Sequence, residues 1–144
     1  METRDNIKDK IIFIIKTEEI SKAIDKISGY LECFYEDQWI LNQLAKLHYE
    51  NANPAMAGRF WFFKEGKSEL EDKCVEEYRK SRGNDLIQMA RELIGHNYKS
   101  PRDLNPYTKR QLFELLEEIK AAHGFIPKFA GNWHRHLKKV IEKG

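Results

Sequence analysis

The chain has 144 residues, 41% of them apolar and 33% charged, with a formal net charge of +2, which suits one ordinary domain around a single core and is short for two. Its longest apolar run, IIFII at 11–15, follows the acidic start METRDNIKD and is far too short to span a bilayer or to serve as a signal-peptide core, so an intracellular protein without a membrane role is expected. The small net charge hides an asymmetry: residues 1–78 carry 11 Lys/Arg against 16 Asp/Glu, net −5, whereas residues 79–144 carry 14 against 7, net +7, and a basic half of this kind favours an anionic partner.

Helical periodicity runs from end to end. Ile7, Ile11, Ile14 and Ile15 recur at helix spacing before Thr17 breaks the pattern; IIFII also suits a strand, being β-branched and aromatic, and helix is the expectation. Ile20, Ala23, Ile24, Ile27, Leu31 and Phe34 form an apolar stripe at steps of three and four, placing a second helix at about 18–34. Asp37 is positioned to cap a third, which carries Trp39, Ile40, Leu44 and Leu47 and ends at NANP. The pair Asn53-Pro54 starts a short fourth helix through Phe63, because proline at the first helical position gives up an N–H that has no partner anyway. Ser68 and Glu71 form a capping box for a fifth, continued by Leu70, Cys74, Val75 and Tyr78 to Gly83.

Asn84 or Asp85 starts the next helix, with Leu86, Met89, Ala90, Leu93 and Ile94 inward and Gly95 as a left-handed stop. The turn-rich HNYKSPRDLN at 96–105 is the candidate boundary between an N-terminal bundle, 1–95, and a C-terminal pair, 106–144. Pro106 opens a helix with Leu112, Leu115, Leu116 and Ile119 inward and Gly124 closing it, and Pro127 opens the last. With no internal repeat, the expectation is an all-α protein: one compact domain, 1–144, of seven or eight short helices with a C-terminal helix-turn-helix-like pair.

That pair holds most of the candidate site residues. On a helix from Pro127, Phe129, Trp133, Leu137 and Val140 share one stripe, expected to face the core, while Lys128, Asn132, Arg135, Lys139 and Glu142 share another, expected to face water. The connection AAHGFIPK, with Gly124 as stop and Phe125 and Ile126 as apolar anchors, has helix-turn-helix spacing, although an ordinary αα-hairpin has it too. Asn132 and Arg135 are side-chain types that read adenine and guanine edges, and Lys128, Lys138 and Lys139 suit phosphates. Lys99 and Arg102, in the turn-rich segment, add two further phosphate-type cations.

From Tyr107 onward, YTKRQLFELLEEIKAAHGFIPKFAGNWHRHLKK resembles the short helical tail of some phage and bacterial helicase-type proteins, in which a Tyr-Thr-Lys-rich helix leads through Gly-aromatic-x-Pro into a basic, aromatic helix. The resemblance covers residues 107–139. That tail usually continues as Gly-Trp-Ala and then Tyr or Phe and Lys, where this chain has Phe129, Ala130 and Gly131 with its Trp four residues after the Phe. The resemblance implies an appendage in nucleic-acid metabolism, in a phage or prokaryotic-defence context. Helicase activity itself is not carried over, since no helicase motif is present.

RFWFF at 59–63 is the second candidate surface. Consecutive aromatics point around a helix, so Trp61 and Phe62 are the residues expected to stay accessible to a protein partner or to an unpaired base. No histidine lies four residues from another on a helix, and His134 and His136 diverge by about 200°, so no metal site and no cofactor are expected. His96 with Lys99 or Arg102 is the one arrangement that suggests a nuclease. Cys33 and Cys74 read as buried free thiols, and the adjacent acidic pairs Glu18-Glu19, Glu76-Glu77 and Glu117-Glu118 as solvated helix faces. The resulting expectation is a non-enzymatic protein that binds nucleic acid or a nucleoprotein complex through its basic half. The alternative is a protein-interaction module or inhibitor using RFWFF and the acidic half.

Overall fold

The computed structural model of the chain describes residues 4–31, 34, 37–94 and 104–143, the side chains of Arg4 and Lys143 excepted. Eight α-helices make up most of them: α1 (Arg4–Thr17), α2 (Ile20–Tyr30), α3 (Gln38–Glu50), α4 (Pro54–Trp61), α5 (Glu69–Ser81), α6 (Leu86–Ile94), α7 (Pro106–His123) and α8 (Gly131–Lys143), with a 3-10 turn, Lys128–Ala130, leading into α8. No strand occurs among the described residues, and the protein is all-α. The chain divides into two compact units, Met1–Tyr78 and Arg79–Gly144, at the position where the net charge changes from −5 to +7. Residues 95–103, with the expected stop at Gly95 and most of the candidate boundary at 96–105, lie outside the described residues.

In the first unit α1 packs on α2, α2 on α3 and α3 on α4. The IIFII run winds as helix because only a helix pairs its backbone groups locally while burying Ile7 and Ile11 against α2 and α3. Asp5 in the first turn and Lys16 in the last complement the helix dipole. α2 is shorter than the apolar stripe suggests: it ends at Tyr30, yet Leu31 and Phe34 still pack on the same core from the turn that follows. Asp37 caps α3, its carboxylate accepting from the N–H groups of Trp39 and Ile40 at 3.0 and 3.2 Å. Asn53 caps α4, with Pro54 behind it. The capping box closes both ways: Glu71 N–H donates to Ser68 Oγ at 3.2 Å and Ser68 N–H to Glu71 Oε1 at 2.7 Å.

RFWFF requires a correction. α4 stops at Trp61, so Phe62 and Phe63 are turn residues and the five positions do not radiate from one helix. Trp61 and Phe62, expected at the surface, are only 4% and 5% exposed. Trp61 packs with Ala45, Ala57 and Cys74 and donates its indole N–H to Asn42 Oδ1 at 2.8 Å, while Phe62 meets Phe63 and Tyr78 edge to face. The approach that makes this burial feasible is at Gly58: a Cβ there would lie 1.9 Å from the carbonyl oxygen of Cys74, so α4 rests directly on the backbone of α5. Cys74 is a buried free thiol, and burial pushes its pKa up, which keeps it unreactive; Cys33 lies outside the described residues.

In the second unit α6 packs on α7 and α7 on α8. Of the two residues placed to start α6, Asp85 is the cap, accepting from Gln88 N–H at 3.1 Å, while Asn84 takes a left-handed φ of 57° before it. Asn105 caps α7 through Thr108 N–H at 2.8 Å, and Gly124 ends it in the left-handed region at φ 81°. Met89, Ala90, Leu93, Ile94, Leu112, Leu115, Leu116 and Ile119 are buried as the periodicity requires.

Candidate nucleic-acid interface

α8 is locked to α7 near their junction. His134 is buried, its Nε2 lies 3.0 Å from Glu117 Oε1, and its ring stacks on Phe113 with centroids 5.5 Å apart. With Leu137, and Ala130 of the preceding turn, it faces inward. The stripe expected from Phe129, Trp133, Leu137 and Val140 is therefore corrected: Leu137 is buried, Trp133 half-buried, and Phe129 and Val140 exposed. Residues 128–130 wind as a 3-10 turn, which advances about 120° per residue instead of about 100°, so three residues rotate the following helix by about 60°. His134 moves inward and Phe129 out.

The polar row survives this rotation. Lys128, Asn132, Arg135, Lys138 and Lys139 are all exposed. Asn132 Oδ1 accepts a hydrogen bond from Arg135 Nη2. Among the described residues none of the four cations is paired with a carboxylate, whereas Arg79 and Arg82 of the same unit are paired with Glu118 and Glu92. Unpaired, solvated cations are the groups that can exchange counterions for phosphates. Lys99, Arg102 and His96 lie outside the described residues.

A second feature of this unit has little signal in the sequence. Phe125 is 53% exposed and Phe129 36%, although the sequence pattern suggests packing residues at both positions. Phe129 is flanked by Arg91 of α6, whose guanidinium carbon stands 5.0 Å from the ring centroid, and Phe125 by its near neighbour His123, whose ring centroid lies 5.9 Å away. Arg91 and His123 both line an open groove of about 640 Å³ beside α6. Phe125 follows directly on Gly124 in its left-handed conformation, which turns the chain out of α7 and is the one hint the sequence holds.

Among the described residues no group of three His, Cys, Asp or Glu is placed to hold a metal, and no helix is long and apolar enough to cross a membrane. No curated protein and no solved structure matches the chain. The model of a family of unknown function, DUF6584, matches residues 7–139, and the chain belongs to that family.

Proposed function

We propose that this protein is a small non-enzymatic binding protein that holds nucleic acid, alone or within a nucleoprotein complex, against the basic row of α8. The observation that carries the reading is the exposure of Lys128, Arg135, Lys138 and Lys139, without carboxylate partners among the described residues, within the half of the chain that has net charge +7. Each such cation that meets a phosphate releases a condensed counterion, and Asn132 with Arg135 supplies donors suited to base edges. The resemblance of residues 107–139 to helicase-type tails agrees with this role and with a phage or prokaryotic-defence context.

Titration with duplex DNA, single-stranded DNA and RNA at two salt concentrations tests it. Binding should weaken steeply with salt, and Arg135→Ala/Lys138→Ala/Lys139→Ala should flatten the slope of log K against log salt by about 2–3. Equal affinity and slope for parent and triple variant would remove α8 as the footprint. A second reading keeps a protein partner for the acidic half: Ile12 and Phe13 are exposed on α1, beside a depression of about 370 Å³ lined by Asp9, Lys10, Phe13, Ile14 and Tyr30. It gains ground only if no nucleic acid binds at low salt.

A further inference from the structure

The groove beside α6 and the two exposed phenylalanines are unused by a row of phosphate-binding cations, and they change the kind of nucleic acid that fits. We infer that Phe125 and Phe129 each offer an exposed ring on which an unpaired base stacks, so that the ligand is single-stranded rather than duplex nucleic acid; this rests on the nucleic-acid reading of α8. A duplex hides the faces of its bases and offers a side chain only their edges and the phosphates. Only an unpaired base presents a π-face, and an exposed aromatic ring beside cations is the means by which proteins hold it.

The surroundings of the two rings supply the rest of that chemistry. The Arg91 guanidinium stands over the Phe129 ring and also lines the groove, which puts a cation beside both. The His123 ring lies beside Phe125 and also lines the groove. Asn84 and Gln88, also in the groove wall, are amides able to donate to and accept from the Watson–Crick edge of a base. Of the two carboxylates there, Glu92 is paired with Arg82, accepting from its Nε at 2.8 Å, and Asp85 caps α6. The groove, open and of about 640 Å³, has room for a nucleobase. Lys128 directly precedes Phe129, and Asn132 and Arg135 follow it, each of the four exposed.

The test is fluorescence-anisotropy titration of the full chain with a labelled single-stranded DNA, the same sequence as RNA, and the matching duplex at low salt. Phe125→Ala and Phe129→Ala should each weaken single-strand binding by roughly five- to a hundredfold and leave duplex binding unchanged, with the thermal midpoint close to that of the parent because both rings are exposed. Phe129→Tyr should retain single-strand affinity. If both alanine variants bind single strands as tightly as the parent while the α8 triple variant does not, the stacking surface is wrong and the nucleic-acid reading stands. If the parent binds none of the three oligonucleotides, the reading of α8 fails and the stacking surface fails with it.

Discussion

RFWFF at 59–63 and FIPKF at 125–129 are both aromatic runs with a cation at hand, and they end in opposite environments. The first is covered: α3 and α5 close over α4, Gly58 lets α4 meet the backbone of α5, and Trp61 and Phe62 disappear into the core. The second is left open, since the left-handed turn at Gly124 and the 3-10 turn at 128–130 project Phe125 and Phe129 outward while His134 takes the inward position. Whether an aromatic run becomes core or surface is thus set by what packs over it, and its own composition is silent on the point.

The largest effects should come from the covered run. Trp61→Ala should cost roughly 3–5 kcal/mol in a denaturant melt, through lost burial, an incompletely collapsed cavity and an Asn42 amide left without its donor. The same truncation at Phe129 should cost less than about 1 kcal/mol, mostly the contact with Arg91. Equal costs at the two positions would break the contrast. Gly58→Ala should destabilise by about 3 kcal/mol, the upper end of overpacking, since the added methyl meets the backbone of Cys74, which cannot swing aside as a side chain would. A neutral Gly58→Ala melt would mean that α4 and α5 are not in direct contact.

Intermediate effects belong to Glu71, which is buried at the start of α5 and paired with Lys64 Nζ at 2.5 Å. Burial pushes its carboxyl pKa up, but the hydrogen bonds from Lys64 and Ser68 outweigh burial and hold it below the usual carboxylate value. A folded-state pKa below the unfolded one gives stability that is present above about pH 4.3 and lost as pH falls through the folded value. Glu71→Ala should cost about 0.5–2 kcal/mol at neutral pH and should make acid unfolding less steep.

The smallest expected effect is at His48, which stacks on Phe60 with centroids 5.3 Å apart and an interplanar angle of 7°. Burial, then the Arg59 charge, lower its pKa below the usual imidazole value. The unfolded chain therefore takes up the proton first, so the contribution of His48 is complete above about pH 6.5 and is lost as pH falls through the folded value. Comparing parent with His48→Gln should show a flatter stability profile for the variant on the acid side of about pH 6.5. Parallel profiles would show that the ring is not desolvated against Phe60.

What can be read along the chain is what the chain decides locally. Asp37, Asn53, Ser68 with Glu71, Asp85, Asn105 and Gly124 all act at the helix ends where their types place them, because a cap is a hydrogen bond between groups two to four residues apart. The inward stripes of α2, α6 and α7 follow from the 3.6-residue period, and the exposed cations of α8 from the cost of burying an unpaired charge. The change of charge sign after Tyr78 is composition alone, yet it marks the division into units. Tertiary structure decided everything that needs a partner distant in sequence: the cover over Trp61 and Phe62, the Gly58–Cys74 approach and the His134–Glu117 contact that sets which face of α8 turns inward. Burial is a property of two surfaces meeting, and a pattern of residues along one helix describes only one of them.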